Sequence, residues 1–285
     1  METIKIRASS GYKMMAKGKG EITEIQLKKI VELENKEKLT DNQRDELARL
    51  IEKRNNPKPS DTMITYLEEL WLEENYGYKE VIYTRPMLKG LLMEQDAFSL
   101  VQKVLGGEFR ISYRQILKAA GKKRLEDKFT TGVPDIVLIK EDFTEDIKIC
   151  ENLKTFKKAK LSPVYEWQGQ IYMHLTGKKH HRVIYCLLPT LDNQILNAKT
   201  NIYYVFDCNE TNEDYIAASK QIEWNLRDCL EQIPLKDRIK VFTIDYDPLK
   251  YAALCENIKK AREYYSKIEL KKAEDVTEET ENNEA

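Results

Sequence analysis

The sequence predicts an α/β protein with a helical N-terminal segment, a middle in which strands and helices alternate, and a further α/β segment behind it. Three observations carry this. Residues 21–105 place apolar residues at helical spacing. Residues 135–150 contain two short apolar runs of strand length. From residue 162 onward, runs with helix caps alternate with β-branched and aromatic runs.

In chain order, residues 21–55 read as two helices joined near 38–40. Ile25, Leu27, Ile30, Val31 and Leu33 form the apolar set of the first, and Leu47, Leu50 and Ile51 that of the second, with Asp41 as its cap. RNNPKPS at 54–60 breaks the pattern. Asp61 to Tyr76 repeats apolar residues at Ile64, Leu67 and Trp71, and Gly77 ends that helix. Pro86 opens another, which runs to Leu105 and closes at Gly106-Gly107. DIVLI at 135–139 reads as a buried strand and DIKIC at 146–150 as an alternating one, with KEDFTE between them as a hairpin loop. Ser162-Pro163 opens a helix that stops at Gly177. Strands at 182–188 and 201–208, a helix over 212–232, a strand at 238–244 and a helix over 248–268 complete the chain. The expected division is 1–57 helical segment, 58–190 core, 191–268 α/β extension and 269–285 acidic disordered tail.

Composition narrows the function. At 285 residues, 41% hydrophobic and 33% charged, the chain suits a globular enzyme rather than a disordered chain. No apolar run approaches the ~20 residues that cross a bilayer, and the first residues lack the apolar stretch of a signal peptide, so the expected location is the cytoplasm, away from membranes. The five Cys, at 150, 186, 208, 229 and 255, contain no CxxC pair, which argues against zinc-ribbon and cysteine-ligated cluster sites. The net charge of −1 hides an asymmetry: AEDVTEETENNEA at 273–285 holds six acids and no base, leaving 47 bases against 42 of the 48 acids in the rest. A mildly basic body permits nucleic-acid binding without demanding it.

Several residues break their local pattern. Leu91, Glu94, Phe98, Val101 and Leu105 step by three and four, so one helix face would carry a carboxylate among four apolar side chains. The ordinary alternative is that Glu94, near a helix start, reaches solvent. Asp135 opens the first buried strand, where a turn-capping Asp is also common. On the second strand Asp146 and Lys148 share a face, with Ile147 and Ile149 opposite, and a simple cross-strand ion pair would explain them as well. Paired strands would bring Asp135 and Asp146 close enough to share a hard cation, which takes oxygen ligands, with Lys148 beside it to orient or deprotonate a water or to steady a phosphate. Phosphodiester hydrolysis uses this set of groups.

GVPD at 132–135, ten residues, then DIK at 146–148 resembles the PD-(D/E)XK nuclease signature. Gln168-x-x-x-Tyr172 in WQGQIYMHLTG is similar to the Q-x-x-x-Y helix of its RecB-like and lambda-exonuclease-like branches. KGLLMEQDAF puts Glu94 where that superfamily carries an acid on its first core helix. RASS at 7–10, SDTMITYLEELW and the spacing to Glu94 resemble phage-encoded YqaJ-type recombination nucleases. The resemblance covers residues 7–190. It implies a restriction-endonuclease-like core, a mixed central sheet flanked by helices, with Mg²⁺ or Mn²⁺. It implies Glu94, Asp135, Asp146 and the Ile147 carbonyl as metal ligands, Lys148 as catalytic lysine, and Gln168 and Tyr172 facing the site or a phosphate. Asp146 stands where many relatives have Glu, within the pattern. The activity implied is exonucleolytic resection of double-stranded DNA, for phage-type recombination or repair, with a single-strand annealing protein as partner and a homo-oligomeric ring as a possible assembly. A structure-specific or sequence-directed endonuclease and a non-catalytic DNA-binding scaffold of the same fold are the alternatives.

The remaining polar residues are less specific. Lys154, Lys157, Lys158 and Lys160 follow the DIK strand and read as a flexible basic loop for DNA phosphates or, equally, as a solvated one. Arg7, Ser9 and Ser10 are candidate contacts to a DNA end. Arg114, Lys118, Lys122, Lys123 and Arg124 form a second basic stretch. Tyr165 and Trp167 could stack on an unpaired base, although Trp167 suits a core better. His174 lies on the predicted helix, and His180 and His181 fall in a basic turn that reads as a surface loop; none has the spacing of a zinc hydrolase.

Overall fold

Thr23 shows how the helical segment starts. Its hydroxyl accepts the Gln26 N–H at 3.2 Å and its own N–H returns to the Gln26 side chain at 3.1 Å, a reciprocal cap. The coordinates are a computed structural model, and it describes residues 4–18, 22–55, 59–81, 83–106, 110–138, 140–206 and 211–269. The chain divides into two compact units: 1–4, 13–80 and 253–285 in one, 5–12 and 81–252 in the other.

In the smaller unit, α1 (Glu24–Glu34) follows Thr23 and α2 (Asp41–Asn55) follows Thr40. Thr40, not Asp41, caps α2, accepting the Gln43 N–H at 3.4 Å; Asp41 lies in the first turn. α3 (Asp61–Tyr76) is capped by Ser60 and ends at Gly77, whose φ of 64° is left-handed and suits a residue without Cβ. Ile30, Leu33, Leu50, Met63, Tyr66, Leu67 and Leu70 are buried, whereas Ile25, Leu27 and Val31 of the expected apolar set are exposed.

The larger unit opens with β1 (Ile6–Arg7). The single helix expected over 86–105 is two, α4 (Arg85–Leu92) and α5 (Glu94–Leu105), separated at Met93 with φ −108° and ψ 15°. Gly90 weakens the last turn of α4, and the buried Met93, Ala97, Leu100 and Val101 draw α5 onto the sheet. Gly107 lies outside the described residues. Then come β2 (Arg110–Ser112), α6 (Tyr113–Ala119), β3 (Leu125–Glu126), β4 (Thr130–Gly132), β5 (Ile136–Leu138) and β6 (Phe143–Cys150), followed by α7 (Leu153–Lys158), α8 (Pro163–Thr176) and β7 (His180–Leu187). α9 (Asp192–Phe206), α10 (Glu213–Glu223), a π-helical turn at Trp224–Asp228, α11 (Cys229–Glu231), β8 (Ile239–Asp245) and α12 (Pro248–Tyr265) complete it, α12 passing into the smaller unit's residues at 253.

The main sheet has the order β2-β5-β6-β7-β8; β6 and β7 are parallel and the other pairs antiparallel, so the sheet is mixed. A second sheet runs β1-β4-β3, with β1 parallel to β4. One face of the main sheet packs Ile136, Leu138, Ile184 and Cys186 against α5. On the other, Cys150, Val183, Tyr185 and Leu187 pack against Phe156 of α7 and Met173 of α8. The expected fold class, a mixed sheet flanked by helices, is present.

Three element expectations are corrected. The strand expected at 201–208 is the second half of α9 as far as residue 206; 207 and 208 lie outside the described residues. NIYYVF has strand composition, but both neighbours of β7 are taken, by β6 and β8, and Ile195 and Ala198 bury at helical spacing against Leu226. β6 starts at Phe143, so Thr144 and Glu145 of the expected loop are paired, with Val137 and Ile136. The basic loop after β6 is the short helix α7, capped by Asn152, which accepts the Thr155 N–H at 3.0 Å. The apolar Phe156 anchors it in the core.

Candidate active site

The register of the β5–β6 hairpin builds the site. Ile136 pairs with Glu145, and one step further Asp135 falls opposite Asp146. The ladder stops there, and the Asp135 carboxylate takes the next free backbone donor, Ile147 N–H, at 2.8 Å. The alternation of β6 then fixes the rest: Asp146 and Lys148 share one face, while Ile147 and Ile149 pack on the α5 side. Lys148 and Asp146 form an ion pair, and the Lys148 ammonium lies 4.7 Å from the centroid of the Tyr165 ring on α8.

Asp146 is 3% exposed, and its Oδ2, although in ion-pair contact with Lys148, accepts no aligned hydrogen bond. Burial, and then the Asp146 charge, push the Asp135 carboxyl well above the usual carboxylate range, against the Ile147 N–H and the Lys148 ammonium. Burial works against the Lys148 ammonium, but the Asp146 charge outweighs it and the pKa ends above the ordinary lysine value.

Gln168 and Tyr172 are buried on the same helix face, with Gln168 Nε2 donating to Tyr172 Oη at 2.9 Å. Burial, then Asp146 and Asp135, hold the Tyr172 phenol well above its ordinary pKa, and Arg124 opposes them from nearby. Gly132 is required here: a Cβ would stand 2.8 Å from Ala8 Cβ and 2.9 Å from Tyr172 Cε1. Since β1 pairs with β4 (Ile6 with Thr130, Arg7 with Thr131), the RASS and GVPD segments meet beside Tyr172.

These groups open into a cleft of about 840 Å³ that Glu94, Asp135, Asp146, Ile147, Lys148, Gln168 and Tyr172 all line. Glu94 differs from its expectation. The break at Met93 makes it the first residue of α5, its side chain is half exposed, and it pairs with Arg114 at 3.3 Å; the expected stripe dissolves, with Leu91 exposed and Val101 buried. Among the described residues no three His, Cys, Asp or Glu side chains are gathered into a metal-holding group. The donors nonetheless fit a hard divalent cation. The buried Asp146 and the half-buried Asp135 carboxylates repel each other, one oxygen has no aligned donor, and a third carboxylate sits at the rim of the same cleft.

Lys154, Lys157, Lys158 and Lys160 are exposed, but none lines this cleft. His180 and His181 are strand residues, not loop residues. His180 meets Asp245 at 2.7 Å, and His181 is fully buried, its Nδ1 2.8 Å from Thr144 Oγ1. His174 stacks on Tyr251 at 3.7 Å between ring centroids. Arg85, Lys89 and Glu151 carried no sequence signal, since nothing in RPMLKG distinguishes a buried lysine from a solvated one.

No family model matches the chain, and no curated protein matches it. Solved structures do. The chain is similar to a phage-related exonuclease from Haemophilus somnus 129PT, at 20% identity over 92% of this chain and 94% of that one, with a TM-score of 0.61. It is similar to the alkaline exonuclease LHK-Exo from Laribacter hongkongensis, at 12% identity over 98% and 94%, with a TM-score of 0.50. It is also similar to LHK-Exo in complex with dAMP, at 14% identity over 92% and 88%, with a TM-score of 0.51. At these identities the likeness is one of fold: the chain folds as these exonucleases do.

Proposed function

We propose that the chain is a metal-dependent deoxyribonuclease that hydrolyses phosphodiester bonds at the ends of double-stranded DNA. The observation that carries this reading is the placement of Asp135 and Asp146 opposite each other, beside Lys148, in an open cleft. The fold likeness to three exonuclease structures supports it.

Asp135 and Asp146 would hold the cation, Mg²⁺ or Mn²⁺, with Glu94 and the Ile147 carbonyl as further donors. Such an ion supplies the charge that polarises a phosphodiester and acidifies a water. The chain's own residues do the rest. Lys148, held between Asp146 and the Tyr165 ring, presents an ammonium to the phosphate as charge develops on it. Gln168 and Tyr172 keep their polar ends together, with the phenol protonated and able to donate. Arg7, Ser9 and Ser10 bind the DNA end beside Tyr172, and the exposed lysines 154, 157, 158 and 160 contact duplex phosphates away from the cleft. A single-strand annealing partner and a ring of copies belong to this reading as proposals.

Digestion of end-labelled linear duplex beside closed circular DNA, with Mg²⁺ or with EDTA, tests it. Loss of the linear substrate alone, and only with metal, is expected. Cutting of the circle would replace it with an endonuclease, and inertness of both would remove the catalytic reading.

A further inference from the structure

α4 buries the opposite of what an amphipathic helix buries. Met87, Leu91 and Leu92 are 55, 63 and 52% exposed, while Lys89, at 1%, is its one buried side chain. The Lys89 Nζ donates to the Leu188 carbonyl at 2.6 Å and to the Glu151 carbonyl at 2.9 Å. These residues directly follow the ends of the parallel strands β7 and β6. One turn earlier on the same helix, Arg85 Nε donates to the Glu151 carboxylate at 2.6 Å. Pro86, Met87, Gly90 and Leu91, on the rest of α4, line the cleft.

We infer that Lys89 is a positioning residue: with Arg85 it clamps α4, one wall of the cleft, to the C-terminal ends of the two central strands. An apolar face would hold the wall by contacts that tolerate sliding. An ammonium with two carbonyl acceptors fixes one position, because moving α4 strands a buried cation and the buried Leu188 oxygen. Burial pulls the Lys89 pKa down to about 8, with Cys150 and Glu151 opposing, so the ammonium is charged at neutral pH. Asp146 and Lys148 are held by the β6–β7 ladder, and Asp135 by its bond to the Ile147 N–H, none of them through Lys89. Loosening α4 therefore moves the substrate wall and leaves the reacting groups in place. Only the kinetic consequence rests on the proposed nuclease reading.

The test is Lys89→Met, which keeps the stem and removes the donors. Hydrogen exchange over 85–92 should quicken about tenfold or more while 143–150 and 163–176 stay within about twofold. KM for linear duplex should rise about tenfold with kcat within about threefold, and Lys89→Arg should restore most of both. Unchanged exchange in α4, a uniform rise across the unit, or a loss confined to kcat would overturn the clamp. Should Lys89→Met fail to fold, Arg85→Ala reads the same device at a half-exposed site: exchange should rise several-fold in 85–92 alone, and no rise there would overturn it. If the parent cleaves nothing, the nuclease reading fails, while the exchange measurement still decides the clamp.

Discussion

The Asp135 carboxylate accepts the Ile147 N–H at 2.8 Å, one residue beyond its cross-strand partner Asp146. A side chain thus occupies the place of a ladder bond, and two carboxylates are held together in a buried site that only one cation, Lys148, enters among the described contacts. Without a metal this arrangement costs stability. Asp135→Asn should therefore raise the melting temperature of the metal-free protein, by about 1 kcal/mol in unfolding free energy, while lowering cleavage about a hundredfold or more. Thermal unfolding in EDTA checks the first half; an unchanged or lower midpoint would mean that the two carboxylates do not oppose each other.

Tyr165 holds the Lys148 ammonium over its ring at 4.7 Å. Tyr165→Leu should lower kcat about tenfold and leave KM near its parent value, and Tyr165→Phe, which keeps the ring, should stay within about threefold. Equal losses in both variants would assign the effect to the hydroxyl instead.

Glu145, on the face of β6 opposite the site, is fully buried between two arginines. Arg110 grips it with Nε at 2.8 Å and a second nitrogen at 3.0 Å, and Arg182 reaches it at 3.1 Å. Glu145→Ala should cost about 3–5 kcal/mol in urea unfolding, because it leaves the buried Arg110 guanidinium without its carboxylate. Glu145→Leu with Arg110→Met should recover most of it, and no recovery would mean that packing, not charge, is what fails.

His181 predicts a pH dependence. Burial lowers its pKa from 6.5 to about 4, with Asp146 opposing and Lys148 adding to the fall. The unfolded chain takes up a proton near pH 6.5 and the folded one only near 4, so this stability is complete above 6.5 and is lost as pH falls through that window. The loss is on the order of 3 kcal/mol at pH 4. His181→Asn should flatten the unfolding free energy across this range; a slope equal to the parent's would assign the loss to other groups.

The legible part of the molecule was the part fixed by local periodicity. The period of two in DIKIC put Asp146 and Lys148 together, and the GVPD-to-DIK spacing put Asp135 opposite them; both hold because a hairpin leaves the register no freedom. Gly77, Pro163 and Gly177 marked helix ends correctly because these signals act locally. What failed depends on distant partners. NIYYVF is helical because no sheet edge is free beside β7. Glu94 turns to Arg114, twenty residues away. Lys89 is buried by carbonyls 62 and 99 residues along the chain, and His181 by Gly169 and Thr144. Neither the hydrophobic pattern nor any motif carries such information.

The proposed metal-dependent phosphodiesterase centre stands or falls with Asp135, Asp146 and Lys148. The most direct measurement is the initial rate of linear duplex hydrolysis in Mg²⁺ for the parent and Lys148→Ala, with Mn²⁺ binding to both followed by electron paramagnetic resonance. Mn²⁺ should bind both proteins, and the variant's rate should be at least about a hundredfold lower. A variant that cleaves at the parent rate, or a parent that binds no Mn²⁺, would contradict it.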